Sequence, residues 1–446
     1  MDEFFDPAGV AVVGASSRPG KIGYEILRNV ISSNEKVYPV NPNVKSILGK
    51  KCYPSVGSIK GKVDLAVVAV SPEKILEVIE GCGKKGVRAM VIISGGFKEA
   101  GNEKLEKEMV ETAKKYGIRM IGPNCIGIYN AKNGFNTFFQ KDMDLPEYGN
   151  VAILTQSGTI GIGLLENFAG QLGISKFVSY GNKADVDEID MLDYLGGDED
   201  TDIIAIYMES IENGRRFFEG IADKPVVILK SGRTPLGKDA ATSHTGAMAT
   251  NYSIFEGAAR QYGAISADSF DEFYDIIRIM ATQPLPRGGG VGMVTNGAGP
   301  CVIAADHIYD AKNISLPEMD AGRFAGLPSF AILSNPLDLT GSATAEHFLK
   351  GIKAMEEDTS IDIIMPFFVF QDAPLMNSLD KLYSGLSSLE HKKPIVAVSV
   401  GEKFVKKQEK KMAKCGIPLI EGPTRVIKAL DKIAEYARWK NENRSS

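Results

Sequence analysis

Short runs of valine and isoleucine recur along almost the whole chain, separated by segments of helix length. Residues 1–130 contain "VAVVGA", "KVYPVN", "DLAVVAV", "AMVIIS" and "IRMIGP". Strands that are apolar on both faces, joined by crossover helices, belong to a parallel sheet covered on both sides. After a polar connection over 131–149 the pattern restarts with "VAILTQSG", "ISKFVSYG", "DIIAIYME" and "KPVVILKSG". A second break, "TQPLPRGGG" at 282–290, concentrates Pro and Gly as linkers do. A third series follows in "VGMVTNGAG", "IDIIMPFF" and "KPIVAVSVG". The pattern predicts an α/β protein of three parallel-sheet units, with boundaries at 1–130, 131–284 and 285–446.

The chain has 446 residues and a net charge of -5 from 51 basic and 56 acidic side chains. That balance excludes the electrostatic footprint of a nucleic-acid or anionic-membrane binder, so any anion must be held locally. No run approaches the roughly 20 apolar residues that span a bilayer, and the N-terminus lacks the basic and apolar regions of a leader. Five scattered cysteines, none in a C-x-x-C pair, argue against a disulfide framework or a zinc knuckle and suit a reducing cytoplasm.

The strand-to-helix breaks look alike in the three units: "VVGASSRPGKIG", "ILTQSGTIGIG" and "MVTNGAGP". Without a Cβ in the way, backbone N–H groups there can point at an anion where the positive end of a helix dipole also lies. Glycine equally serves any tight turn. In the first unit Gly14, Gly20 and Gly23 are spaced G-x5-G-x2-G, and Ser16 stands where a dinucleotide fingerprint would place its second glycine. The next strand ends in Asn41 and Pro42, with no carboxylate for the ribose hydroxyls of NAD. Without that carboxylate the pocket could accept a ribose carrying its own phosphate, as in coenzyme A. Lys45 is close enough in sequence to pair with that phosphate, or it is a solvated surface lysine. Later strands end at Ser71 and at Ser94, Gly95 and Gly96, which should border the same crevice. The loop "IGPNC" ends the last strand of this unit near where a thiol arm would emerge; Cys125 there reads as a nucleophile or as a small buried cysteine.

One histidine stands apart. His244 lies between Ser243 and Thr245 in "AATSHTGAMAT", a run of small side chains that suits a loop able to move or to approach a ligand closely. Near neutral pH much of an imidazole carries a free lone pair that can attack phosphorus or take a proton. His307, His347 and His391 read as helix-packing or surface residues. A histidine nucleophile needs a partner to hold its other nitrogen and balance developing charge. Glu209, at the carboxyl end of "IIAIYMES", is preferred over Glu212, which begins "ENGRRF" and reads as an exposed helix start.

Taken in order, "VAVVGASSRPGKIGY", "VYPVNP", "PNCIGIYN", "TQSGT", "SYGNKADVDEIDMLDYL", "SHTGAMA", "VTNGAGP" and "SNPLDLTGSA" resemble the α subunit of the ADP-forming acyl-CoA synthetases, within the succinyl-CoA synthetase superfamily. The resemblance covers nearly the whole chain. It implies a Rossmann-like coenzyme A domain followed by two flavodoxin-like succinyl-CoA ligase domains. The coenzyme site would comprise Gly14, Ser16, Ser17, Lys21, Asn41, Lys45, Ser71, Ser94, Gly95 and Gly96. It also implies that His244 is phosphorylated and that Glu209 stabilises the phosphohistidine. Phosphate would sit between two helix N-termini, at Gln156, Ser157 and Gly158 and at Asn296, Gly297, Ala298 and Gly299, with Asn124 lining the substrate site. Phosphate attacks the acyl-CoA thioester and releases CoA, His244 takes the phosphoryl group, and a mobile loop delivers it to ADP, all reversibly. No fourth, ATP-grasp unit is found in the sequence. The ADP or ATP site and its Mg2+ would then lie on a separate β subunit, in an α2β2 heterotetramer. Against this stand an NAD-dependent oxidoreductase, disfavoured at Ser16 and Asn41, and a CoA-sensing regulatory protein, which leaves "SHTGAMA" and Glu209 unused.

Overall fold

The β-branched runs fold as strands because each must bury both faces, and nearly all of their side chains are excluded from solvent. The structure is a computed structural model describing residues 1–221, 224–245 and 251–443, the side chains of 241–245 excepted. The chain divides into two units: Met1–Ala169 with Gly173–Tyr262, and Gly170–Leu172 with the chain from Gly263 onward.

The first unit holds two sheets. In one, Val10–Val13, Val37–Val40, Leu65–Val68, Ala89–Ile92 and Arg119–Ile121 are all parallel and lie in the spatial order second, first, third, fourth, fifth. The order reverses beside Val10–Val13, which makes the carboxyl ends of the first three strands a crevice for ligand. The crossover helix Ile22–Ser33 turns Ile26, Leu27 and Val30 to the interior, the spacing of one helical face. Ile79 and Cys82 from the helix Ile75–Lys85, and Met109 and Ala113 from the helix Glu103–Lys115, pack with Val68, Met90 and Met120 on the other face.

The second sheet repeats the scheme. Tyr148–Thr155, Ile174–Ser179, Ile203–Met208 and Val226–Lys230 are parallel, again with the second strand outside the first and the third and fourth on its other side. An element that the apolar pattern did not signal extends this sheet. Ile128–Asn130 runs antiparallel to Ile174–Ser179, and Phe135–Asn136 returns beside it, within and just before the stretch expected as a polar connection. The hairpin buries Ile128, Tyr129 and Phe135, and side chains brace it: Thr137 Oγ1 accepts from Ile128 N at 2.8 Å, and Asn130 Nδ2 donates to Phe5 O at 3.0 Å.

The unit from Gly263 onward contains a third parallel sheet in the same order, with Leu337–Asp338 outside Val291–Thr295 and then Ile363–Phe368, Ala397–Ser399 and Leu419–Glu421. The second and third sheets share finer details. Lys224 Nζ donates to the Leu195 and Asp198 carbonyls (2.7 and 2.5 Å), and Lys393 Nζ to those of Met355 and Asp358 (3.0 and 2.5 Å). In both cases a lysine before the fourth strand satisfies the open carbonyls at the end of the crossover helix that leads into the third strand, Glu188–Gly196 in one sheet and Ala345–Glu357 in the other. The parallel-sheet α/β class read from the sequence is the observed one. Among the described residues no helix is long and apolar enough to cross a membrane.

Candidate active site

The first crevice is a cavity of about 400 Å³ at the carboxyl ends of the first three strands, lined in part by Gly14, Asn41, Pro42, Ser71 and Lys74. The helix Ile22–Ser33 lies so close to the turn after Val13 that a Cβ on Gly23 would stand 2.0 Å from Gly14 O. Ser16, Ser17 and Lys21 follow Gly14 in the loop 16–21, exposed from Ser17 onward, and do not themselves line this cavity, whereas Ile22 lines the second one described below. Ser16 Oγ accepts from Arg18 N at 3.1 Å, shaping the loop, and Lys21 is the residue before the first helical turn. Asn41 Nδ2 donates to Ala15 O at 2.8 Å while its Oδ1 accepts from Asn43 N at 2.9 Å. Asn41 therefore ties the first and second strand ends together, and no carboxylate occupies its place. Lys45 is exposed on the turn before the short strand Ser46–Ile47 and does not line the cavity. These residues fit an elongated phosphorylated nucleotide with its charged parts toward solvent.

A second cavity, of about 510 Å³, lies where the two sheets of the first unit meet. It gathers Gly95, Asn124, Gln156, Ser157, Gly158 and Glu209, which are far apart in sequence, and Glu212 also reaches it. Ser94 and Gly96 do not line it. The Ser94 Oγ is buried without a hydrogen-bond partner among the described residues, and Gly96 N donates to Glu99 Oε1 at 2.5 Å. Ser157 caps the helix Gly158–Phe168, its Oγ accepting from Ile160 N at 3.4 Å, so the first N–H groups of that helix have no intrahelical acceptor and face the cavity end.

The Gln156 side chain is a latch, a role not expected from the sequence. Its Oε1 accepts from both Glu209 N (2.6 Å) and Ser210 N (3.1 Å), and its Nε2 donates to Ser210 Oγ (3.2 Å). The following carbonyls are held as well: Lys230 Nζ donates to Glu209 O and Lys183 Nζ to Ser210 O, each at 2.8 Å. Glu209 is thus half-buried with its backbone fixed, and Tyr207 Oη donates to its Oε1 at 3.4 Å. Glu212 is exposed.

Three other site residues escaped sequence reasoning. Asn182 Nδ2 donates to Glu99 Oε2 (2.5 Å) and Glu106 Oε2 (2.8 Å), and Asn124 Nδ2 to Asn182 Oδ1 (3.4 Å). Gly181, at φ +58°, allows this contact, since a Cβ there would meet the carbonyl oxygens of Pro123 and Asn124 at 2.2 Å. Burial alone would raise the Glu99 pKa, but bonds from Asn182 and from the Gly96 and Phe97 amides hold it below its ordinary value. Lys183 pairs with buried Glu188 at 2.8 and 3.0 Å; burial still pushes the Glu188 carboxyl up despite that partner. "YGNK" follows an apolar strand at its carboxyl end, the one sequence signal that would have found these residues. Cys125 is buried, its thiol pushed up to about 12 by desolvation, so it is a small packing residue and no thiolate.

In the third sheet Asn296 is a latch of the same kind. Its Oδ1 accepts from Val369 N at 2.8 Å, and its Nδ2 donates to Val369 O (3.0 Å) and Asp372 Oδ2 (2.8 Å). Thr155 and Thr295 each donate from Oγ1 to the carbonyl two residues on, both at 2.8 Å. Asn296 is therefore committed to the fold. What this turn offers an anion is the backbone of Ala298 and Gly299 at the start of the helix Gly299–Asp310, Gly297 N being taken by Thr295 Oγ1. His244, expected on a loop, falls within the helix Pro235–Thr245, while its side chain lies outside the described residues. The helix starts with Pro at its first position, where the missing N–H costs nothing. It packs against Lys98–Ala100, and Lys98 and Glu99 line the second cavity.

Residues 9–131 match the family model of a CoA binding domain, and residues 148–280 that of a succinyl-CoA ligase like flavodoxin domain. The α subunit of acetate–CoA ligase (ADP-forming) II of Pyrococcus furiosus is 37% identical over 98% of this chain and 98% of its own length. The chain belongs to the ADP-forming acetate–CoA ligase family. Another relative in it, acetate–CoA ligase (ADP-forming) I of Archaeoglobus fulgidus, is 37% identical over 98% of this chain, which spans only 64% of that protein. Among solved structures, acetyl-coenzyme A synthetase 1 of Candidatus Korarchaeum cryptofilum, in complex with phosphate and ADP, superposes with a TM-score of 0.91 at 35% identity. That match covers 100% of this chain and 98% of the other. Membership in the ligase family accounts for the order of the motifs and for a coenzyme domain placed ahead of ligase-like sheets.

Proposed function

We propose that this chain is the α subunit of an ADP-forming acyl-CoA synthetase, an acid–thiol ligase that converts acyl-CoA, phosphate and ADP reversibly into acid, CoA and ATP. In this reading residues 1–130 form the coenzyme domain, and 131–284 and 285–446 the two ligase-like domains. The observation that carries it is the cavity collecting Asn124, Gln156, Ser157, Gly158 and Glu209 beside the helix on which His244 lies. CoA would lie with its nucleotide along Gly14, Ser16, Ser17, Lys21, Asn41, Lys45 and Ser71, and its thioester end would pass Ser94, Gly95 and Gly96 toward Asn124.

A phosphate oxygen adds to the thioester carbonyl and the CoA thiolate leaves, giving an acyl phosphate. A ring nitrogen of His244 then attacks phosphorus and the carboxylate departs. The protein supplies position and charge compensation: N–H groups at Ser157 and Gly158 face phosphoryl oxygens, and Glu209 balances the imidazolium. The second half of the reaction, transfer to ADP with Mg2+, belongs to a separate ATP-grasp β subunit in an α2β2 assembly in the cytoplasm. The share of the Archaeoglobus ligase that this chain does not span is room for such a part in a fused form. An oxidoreductase reading is opposed by Asn41, whose amide is spent within the loop where NAD would need a carboxylate.

The test is labelling. Acyl-CoA with radioactive phosphate should place an acid-labile, base-stable label on the chain that His244→Ala abolishes; equal labelling of that variant would refute the assignment. Purified alone, the chain should make no ATP, and ATP formed without a second polypeptide would refute the partner.

A further inference from the structure

Three lysines are buried around the second sheet of the first unit. Lys176 bonds Asp198 at 2.6 Å and Lys183 bonds Glu188 at 2.8 Å, so both have a carboxylate in contact. Lys230 has none. Its ammonium donates to two carbonyls, Glu209 O at 2.8 Å and Ser231 O at 2.5 Å. A buried cation without a bonded counter-charge is costly, and a core position at the end of a strand is filled more cheaply by an apolar side chain. The opposing charge that acts on it is the Glu209 carboxylate.

We infer that Lys230 is a positioning residue for phosphoryl transfer: one ammonium ties the backbone at Glu209 to the backbone at Ser231, where the chain turns toward the helix that carries His244. The inference rests on the phosphohistidine reading given above. The two carbonyls belong to neighbouring parallel strands, Ile203–Met208 and Val226–Lys230, just past their carboxyl ends. One strand end presents the carboxylate, and the other leads to the histidine segment. Gln156 fixes the amides of Glu209 and Ser210, and Lys183 the carbonyl of Ser210; beyond the ladder bond from Ser231 N to Met208 O, Lys230 adds the bond that ties the carbonyl of Glu209 itself to the other strand.

The groups that face Lys230 are Glu209 and Tyr207 from one strand, and Lys183 with its partner Glu188 from the loop and helix beyond. Burial pulls the ammonium down to about 8, Lys183 pushing the same way and Glu209 opposing. In its neutral form Lys230 keeps two donors but loses the charge that faces Glu209.

The experiment compares the full-length wild type, Lys230→Arg and Lys230→Gln. The rate of His244 labelling from acyl-CoA and radioactive phosphate is followed by rapid quench from pH 6 to 9.5, beside CoA affinity and melting temperature. The wild-type rate should decline as pH rises through about 8. Lys230→Arg should keep the rate within about tenfold and lose that decline, since a guanidinium does not titrate there. Lys230→Gln should label about 100-fold more slowly across the range with CoA affinity unchanged, the cost of a misplaced group. Wild-type labelling rates in Lys230→Gln would overturn the inference. So would an alkaline decline that persists in Lys230→Arg, which decides the matter even if Lys230→Gln does not fold. A wild-type chain that takes no label would instead overturn the phosphohistidine reading, and this inference with it.

Discussion

Replacing Gln156 by Leu should separate the latch from a direct role in phosphate binding. The side chain has a similar size, but two backbone N–H groups, at Glu209 and Ser210, lose their common acceptor. A buried donor left without a partner costs about 1–3 kcal/mol. Ser210 is buried and takes the full penalty, whereas Glu209 borders the cavity, where water can substitute. The expected loss is therefore about 2–4 kcal/mol. At about 2–4 °C per kcal/mol for a unit of this size, the melting temperature should fall by about 5–15 °C. Phosphorylation should slow by about 100-fold as the carboxylate drifts. Gln156→Glu is the control. It retains an acceptor for both amides and loses only the bond to Ser210 Oγ, so it should stay within about 1.5 kcal/mol of wild type. Calorimetry and rapid-quench labelling read both quantities. A Leu variant that melts within 1 °C of wild type and labels at the wild-type rate would refute the latch.

Gly23→Ala would force a Cβ against Gly14 O, at 2.0 Å in the present backbone. It should cost about 1–3 kcal/mol and weaken CoA binding in a titration, and unchanged affinity would remove that crevice from the coenzyme site. CoA, and not NAD, should bind the full chain; tight NAD binding without CoA binding would reject the assignment of the first sheet. Cys125→Ala should keep labelling activity, and the native thiol should resist alkylation at pH 8, because its pKa is raised to about 12 and no thiolate forms in that range. Lys183→Met should cost about 3–5 kcal/mol at pH 7 by leaving Glu188 buried and unpaired. The folded-state pKa of Glu188 is already raised, so this defect grows as pH climbs above the unfolded value near 4.5 and shrinks toward pH 5 as the carboxyl protonates. Denaturation midpoints at the two pH values check the sign.

The sheets were legible because parallel strands bury both faces and advertise themselves as unbroken apolar runs, as "LAVV" at Leu65–Val68 does. The hairpin at Ile128–Asn136 was not, because its strands, Ile128–Asn130 and Phe135–Asn136, are too short to show as an apolar run, although their apolar side chains are buried. Glu209, read as standing at a strand end, follows Ile203–Met208 and lines the second cavity. Gln156 was assigned to phosphate because the sequence places it in a glycine-rich turn, and a turn does not reveal which way its side chain bonds. Asn182 and Lys183 were missed for the same reason: what they do depends on Glu99, Glu106 and Glu188, which are brought to them only by folding. Asn296 shows the converse. Its likeness to Gln156 becomes visible only when both are seen bonding the residue just after the neighbouring strand, Glu209 in one sheet and Val369 in the other.

With the amides of Glu209 and Ser210 held by Gln156, and their carbonyls by Lys230 and Lys183, only the carboxylate torsions remain to be settled at this point. Freezing a residue's main chain costs about 1–2 kcal/mol of conformational entropy. Here that ordering is completed once, when the polypeptide folds, and is not repeated at every turnover. The main chain at Glu209 is a stationary landmark, and in the function proposed above the histidine segment would be registered to it.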